Sequence, residues 1–345
     1  ETRQASFSSL IKHQINGNWK LNINSSFQNY DRFSKGTERI QPEKDGKWER
    51  PLGQNHNQEQ LFAEQINIQG TFFTGKVKHQ LVTGIDFDLS YADANTFTFE
   101  PKSYGSGNIF DFDNFDQGGA IPEALHTKIA STETIRFGAY FQDLISLSNK
   151  FKVLAGIRWS WQDAQVTSKD LTKSPIEIKK EGTRIDQAFS PKFGLVYQPI
   201  NNMSLFASYA TSFTPNSGTT VDLKPIEASI IDQYEFGIKK DFWKGLLSTN
   251  ITLYQITNNN LAQTAEFKAD GTPNTDSSIK TLNGATESKG IEIDITANPI
   301  NGLNVKAGYS FNEMRYTHTS GLNGSFIEGD RLARTPSNTA NLRFF

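Results

Sequence analysis

The sequence contains no cysteine, and none of its apolar runs approaches the length of a membrane helix. Without cysteine, disulfide bonds and thiolate metal sites are excluded. A membrane helix needs about 20 consecutive apolar residues, so a membrane role would have to be carried by strands. The formal net charge is only −2, which argues against the strongly basic surface that a nucleic-acid partner favours.

The chain is polar on average and yet rich in aromatic residues, with a mean hydropathy of −0.52 and 12% Phe, Trp and Tyr. The segment 284–311 shows how the two properties combine. In it, Ile291, Ile293 and Ile295 alternate with polar residues, and the same alternation returns after a tight connector at residues 299–302. A period of two predicts a strand with one apolar face and one polar face.

This hairpin pattern repeats along the chain. We count about thirteen strands and no convincing helix. Short turns alternate with long polar loops, which we expect near residues 31–55, 92–131, 163–186, 214–229, 258–284 and 316–336. Strict alternation of short and long connections is typical of transmembrane β-barrels and is not expected of a secreted sandwich or propeller. The sequence therefore predicts an all-β fold, an antiparallel transmembrane β-barrel.

Six runs along the chain carry a family resemblance: FTGKVKHQLVTGIDF (73–87), FGAYFQDLISLSNKFKVLAGIRW (137–159), FSPKFGLVYQPINNMSLFASYATSFTPNSG (189–218), YEFGIKKDFWKG (234–245), ESKGIEIDITANPINGLNVKAGYSF (287–311) and RTPSNTANL (334–342). In this order they resemble the barrel of TonB-dependent receptors, most closely the ferric-siderophore branch. The resemblance implies a 22-stranded barrel, of which this chain would be strands five to seventeen. Residues 1–345 are then expected to be one partial barrel domain, with the N-terminal plug and the terminal strands outside it.

The resemblance also implies a location in the outer membrane, in contact with its lipid, and a monomeric receptor. Its function would be to capture a ferric siderophore at the outer mouth and to pass it inward when the TonB complex acts on the missing plug. Other cargo within the family (cobalamin, haem or a glycan), a passive porin and an adhesin barrel remain alternatives. The sequence shows no nucleophile elbow, P-loop or zinc-protease motif, so we predict no enzyme and no cofactor.

Two arginines are candidate ligand-binding residues. Arg136 and Arg158 are expected near the tops of neighbouring strands, on the face that points into the barrel, where they could meet an anionic chelate. The more ordinary interpretation is that they pair with carboxylates of the barrel or the plug. Arg331, in an outer loop, is a weaker candidate, since exposed loop arginines are often simply solvated.

The long loop near residues 92–131 is unusually aromatic for an exposed segment. These side chains could stack on aromatic groups of a chelate, or pack the loop into a compact cap. The candidate ligand-binding residues among them are Tyr104, Phe110, Phe112 and Phe115. The same loop carries Asp111, Asp113 and Asp116, but the spacing lacks the glycine and distal glutamate of an EF-hand, so we predict no metal site there.

Overall fold

The computed structural model describes residues 1–38, 41–111, 113, 118–180, 182–321 and 327–345. These ranges contain fifteen β-strands and one 3-10 turn at Trp243–Gly245. The strands are β1 (Thr2–Gln14), β2 (Trp19–Thr37), β3 (Lys47–Thr74), β4 (Val77–Thr98), β5 (Ser103–Asn108), β6 (Leu125–Ser146), β7 (Phe151–Asp170), β8 (Glu177–Lys180), β9 (Arg184–Ile200), β10 (Met203–Thr214), β11 (Ser229–Phe242), β12 (Leu247–Thr264), β13 (Lys280–Ile300), β14 (Leu303–His318) and β15 (Asn338–Phe344).

Thirteen of these strands form one continuous antiparallel sheet. Its order is β1-β2-β3-β4-β6-β7-β9-β10-β11-β12-β13-β14-β15, so each strand pairs with the next one in the chain apart from two short additions. These additions are β5, which pairs with β3, and β8, which pairs with β7. The all-β prediction and the thirteen main strands are confirmed; β5 and β8 lie inside segments that the sequence analysis assigned to loops.

Every main strand separates two kinds of side chain. The apolar face is the one that carries Phe137 and Trp161, which lie directly opposite each other on β6 and β7. The polar face is the one that carries Arg136 and Arg158. On β7 the apolar band runs from Phe151 to Trp161, which corresponds to about 33 Å along the strand and about 25 Å in height at a tilt of about 40°.

No second layer covers the apolar face within the described ranges. Large side chains on it stay exposed, for example Phe141 at 49% and Phe189 at 68%. The few buried apolar residues lie instead near the long connections: Leu52, Phe99, Ile226, Ala265, Ile279, Ala285 and Tyr316. A sheet with one wholly uncovered apolar face requires an apolar environment on that side.

Among the described residues, no helix is both long and apolar enough to cross a membrane.

The predicted loop boundaries were wrong at several places because the strands are longer than expected. β4 continues to Thr98 and β7 to Asp170, while β3 already begins at Lys47. In these extensions apolar side chains no longer alternate regularly with polar ones, so the pattern that marks a strand in the sequence is lost while the backbone pairing continues.

Candidate ligand-binding site

Arg158 is held on the polar face by a bidentate ion pair that crosses a strand. Asp86, Gly138 and Ser160 form one row across β4, β6 and β7. From β7, the Arg158 guanidinium reaches over Gly138 and donates to both carboxylate oxygens of Asp86 at 2.6 and 2.7 Å, while its Nε donates to Ser160 Oγ at 2.8 Å. A Cβ at Gly138 would lie 2.1 Å from Arg158 Nη2. Glycine at 138 therefore leaves the space through which the pair forms.

Arg136 forms a similar contact one row further from the short turns. Asp88, Arg136 and Gln162 are neighbours across the same three strands. Arg136 Nη1 donates to Asp88 Oδ1 at 2.8 Å and its Nε donates to Gln162 Oε1 at 2.8 Å. Its side chain is 47% exposed, and no hydrogen bond from its Nη2 is described, so the guanidinium keeps a donor edge facing the solvent on this side of the sheet.

Tyr140 completes the cluster. Its ring centre lies 5.9 Å from the Arg158 guanidinium carbon, and its hydroxyl accepts a hydrogen bond from Gln65 Nε2 at 3.2 Å. The sequence analysis did not select Asp86, Asp88 or Tyr140 as site residues. The sequence did contain a signal for them. Asp86 and Asp88 are spaced by two on β4, the neighbour of the Arg136 strand, and Tyr140 lies on β6, the neighbour of the Arg158 strand.

The expected position of the two arginines near the strand tops is corrected. β6 begins at Leu125 and β7 ends at Asp170, so both residues lie near the middle of their strands. Arg158 falls between Ile157 and Trp159, inside the apolar band, and Arg136 is level with the upper edge of that band. The error has the same cause as the loop boundaries, since the polar strand extensions were not recognised.

The aromatic loop forms a separate unit. Residues 103–108 of β5 pair with the start of β3, and the Arg50 guanidinium lies 5.2 Å from the centre of the Tyr104 ring. Phe99 is buried at 4% exposure, whereas Phe110 is 74% exposed. Tyr104 thus packs within the loop and Phe110 faces solvent. Phe112 and Phe115 lie outside the described residues.

Arg331 lies in the last long connection. It forms an isolated bridge with Arg315, and its Nη2 donates to the backbone oxygen of Asn312 at 3.3 Å. The structure therefore brings Arg136 and Arg158 together, and no contact of Arg331, Tyr104 or Phe110 with that pair is described. Asp116 falls outside the described ranges, and within them no group of three acidic, histidine or cysteine side chains could hold a metal ion.

Comparison with known proteins identifies the family. The family model described as "TonB dependent receptor-like, beta-barrel" matches residues 1–345. The chain belongs to this family. It is 24% identical over 308 residues to the ferric-pyoverdine 358 receptor of Pseudomonas putida, covering 87% of the chain and 36% of that receptor. It is 26% identical over 294 residues to the ferrichrome outer membrane transporter/phage receptor of Escherichia coli, covering 82% of the chain and 35% of the relative.

A solved relative confirms the fold. The structure of BauA, the ferric preacinetobactin receptor from Acinetobacter baumannii, matches with a TM-score of 0.79 at 19% identity, over 99% of this chain and 49% of that one. The chain is thus an outer-membrane barrel wall that spans between about a third and a half of the length of these proteins. In this fold the apolar face contacts lipid, the polar face lines the lumen, the short turns are periplasmic and the long connections are extracellular.

Proposed function

We propose that this chain forms the central barrel wall of a TonB-coupled receptor that takes up a ferric siderophore. The relatives support the cargo class, because the two named above are a ferric-pyoverdine receptor and a ferrichrome transporter. Since the chain matches about a third of their length, we propose that it is one partial barrel domain and that the plug and further strands belong to the rest of a longer, monomeric protein. Contact with outer-membrane lipid through the apolar face and the absence of any catalytic role are part of the same proposal.

The observation that carries the proposal is the arginine pair on the lumen wall. Both side chains stay partly exposed, at 47% for Arg136 and 38% for Arg158. Arg158 uses its donors on Asp86 and Ser160, so it stiffens the wall. Arg136 keeps Nη2 available, and a delocalised cation with a free donor edge suits the oxygen-rich, anionic surface of a ferric chelate.

The coupling to TonB follows from energetics. A tight site fills at low ligand concentration, but tight binding also slows release. A ligand shifts a conformational equilibrium only by its difference in affinity for the two states. Uphill transport therefore needs an external energy input, which we assign to the TonB complex acting on the plug.

The test is ligand binding to the complete receptor in detergent, measured by tryptophan fluorescence quenching with a panel of ferric siderophores. We expect one chelate to bind with a Kd below about 1 μM, and Arg136→Ala to weaken it about tenfold, equivalent to about 1.4 kcal/mol. Arg158→Ala should weaken it less, because Arg158 acts through the wall. Lys152→Ala, a cation on the same face beside the periplasmic turn, is the matched control and should leave the Kd unchanged.

Two outcomes would contradict parts of the proposal. Binding of cobalamin, haem or a glycan, with no ferric chelate bound, would refute the siderophore cargo while leaving the barrel fold intact. Siderophore binding that is insensitive to Arg136→Ala would keep the cargo and move the site away from this wall.

A further inference from the structure

The lumen face of the wall is basic on one side and acidic on the other. On the main strands β1 to β9, from the register row of Arg158 down to the periplasmic turns, the described residues of this face include five lysines and no carboxylate. These lysines are Lys12, Lys20, Lys78, Lys152 and Lys192. At comparable distances from their turns, β11 and β13 carry four carboxylates and one lysine: Glu235, Asp241, Glu292, Asp294 and Lys239. We refer to the first surface as the basic sector and to the second as the acidic sector.

The lysines of the basic sector have no fixed anionic partner. None of them is among the ion-paired residues of the described part of the chain. The arginines nearer the extracellular side differ, because Arg136 and Arg158 each pair with a carboxylate of β4. Like charges without partners leave a positive potential along this side of the lumen.

The basic sector continues from the arginines toward the periplasm. Lys192 lies on β9 one row nearer the turns than Arg158, so the two are diagonal neighbours about 7–8 Å apart. Lys78 and Lys152 lie opposite Ser146 on either side, which separates them by about 10 Å. From Arg158 to Lys152 the distance is about 20 Å along β7, or about 15 Å in height at a tilt of about 40°. Cationic side chains therefore extend from the candidate site to the periplasmic rim.

Arginine and lysine hold an anion in different ways. A guanidinium group binds the oxygens of an anion through parallel hydrogen bonds, which suits capture. A lysine ammonium is a strongly hydrated point charge on a flexible stem, so it attracts an anion without fixing its orientation. Passage through a pore requires sites that bind well enough for entry and weakly enough for exit. The order of arginines and then lysines, from the candidate site to the periplasm, matches capture followed by transit.

We propose that an anionic ferric chelate, once captured, moves to the periplasm along the basic sector. Lys192 is the first contact below the arginines, and Lys78 and Lys152 are the last. The acidic sector repels the chelate and so keeps it beside β4, β6, β7 and β9. This inference rests on the uptake of a ferric siderophore proposed above and adds the charge of the cargo and the side of the lumen along which it travels.

The test uses cells that express the complete receptor, with anionic and neutral members of the ferric siderophore panel labelled with radioactive iron. The Kd is measured in cells without an energy source, and the initial uptake rate in energised cells. Lys78→Gln combined with Lys152→Gln should lower the uptake rate of an anionic chelate about fivefold at an unchanged Kd. Lys152→Glu should lower uptake more than Lys152→Gln, and Lys152→Arg, which keeps the charge, should retain it. Lys239→Gln is the matched control, since Lys239 is a lumen lysine near a periplasmic turn in the acidic sector.

The outcomes separate this inference from the function on which it rests. Unchanged uptake in the double variant, with the Kd intact, would overturn the route and leave the receptor function standing. If no chelate of the panel binds, the proposed function fails and the route fails with it. Equal loss of uptake for anionic and neutral chelates, or entry of a large antibiotic such as vancomycin, would show that the lysines hold the plug in place, which would also overturn the route. Immunoblots of outer-membrane fractions verify that each variant is present in equal amount.

Discussion

On β7, the side chains of the apolar face change character partway along the strand. From Phe151 to Trp161 they are apolar or aromatic, whereas those at 163, 165 and 167 are Asp, Gln and Thr. The strand itself continues without interruption to Asp170, paired with β6 throughout the extension and, on its other edge, with β9 up to residue 164 and with β8 from residue 167. We refer to residues 151–161 and their neighbours in register as the turn half of the wall, and to the remaining strand lengths as the loop half.

We infer from the contrast that two different environments act on one sheet. The strict alternation of the turn half is the pattern expected where lipid lies on one side of a barrel wall and the lumen on the other. In the loop half both faces meet water, so polar side chains are tolerated everywhere and the backbone ladder supplies most of the order. The backbone pairing is therefore the same in both halves, but the side chains that each half tolerates differ. The same type of substitution should change the free energy of unfolding by different amounts in the two halves.

The largest expected difference concerns a charge on the apolar face. Ile157→Lys, near the middle of the turn half, should lower the free energy of unfolding by about 2–4 kcal/mol, since it places an ammonium near the bilayer midplane. Gln165→Lys, on the same face of the same strand but in the loop half, should change it by no more than about 0.5 kcal/mol, because it faces water and lies opposite Glu133. Urea unfolding of the receptor in lipid vesicles measures both. Equal losses of unfolding free energy in the two variants would show that the hydrocarbon region of the membrane extends beyond the apolar band.

A smaller difference is expected for added volume. A Cβ at Gly84 in the turn half would lie 2.5 Å from the backbone oxygen of Ile66 and 2.8 Å from the Tyr140 hydroxyl. Gly84→Ala should therefore cost about 1–3 kcal/mol, because the sheet backbone would have to shift. A Cβ at Gly53 in the loop half would meet only the flexible Glu38 side chain, at 2.8 Å, so Gly53→Ala is the matched control with a cost of about 0.5 kcal/mol or less. The same urea-unfolding assay measures both variants. If Gly53→Ala lowers the free energy of unfolding as much as Gly84→Ala does, the loop half is packed as tightly as the turn half.

The strands of the turn half could be predicted from the sequence, whereas those of the loop half could not. Alternation at positions such as Ile291, Ile293 and Ile295 fixed the faces, and the short turns fixed the pairing of neighbouring strands. Where Asp163 and Gln165 replace the apolar residues, the pattern of the sequence no longer differs from that of a polar loop. The strand ends, β5 and β8 were therefore missed.

Only part of the candidate site could be predicted from the sequence, for a related reason. Alternation placed Arg136 and Arg158 on the lumen face, but their partners depend on which residues lie opposite each other across β4, β6 and β7. The contact of Arg158 with Asp86 also depends on a gap at Gly138 on the strand between them. The contact of His79 Nδ1 with Asp143 Oδ2, at 2.6 Å on the apolar face, was missed because polar residues on an apolar face interrupt the pattern from which that face is recognised.

The smallest expected effect is a pH response confined to the extracellular connections. Asp270 accepts hydrogen bonds from the Thr272 hydroxyl at 2.6 Å and the Thr272 amide at 3.0 Å, and these bonds, the hydroxyl first, hold the pKa of Asp270 below its ordinary value. The Ser278 hydroxyl and amide lower the pKa of Asp276 in the same way. A lowered pKa in the folded state means that these turns are favoured above the ordinary pKa of about 4 and are lost as the pH falls through the lowered value.

A nitroxide label can report this loss, because the chain has no cysteine of its own to interfere. In Ala269→Cys, the label should keep its mobility from pH 7 to about 5 and become more mobile below about pH 4. A label in Ala207→Cys, on the apolar face of the turn half, should show no change over that range. Adding Asp270→Ala should produce the mobile spectrum of the Ala269→Cys label already at pH 7. If Asp270→Ala leaves the spectrum at pH 7 unchanged, the turns at 270–278 are not held by these carboxylates. If acid also mobilises the label at 207, the loop half has no acid response separate from that of the turn half.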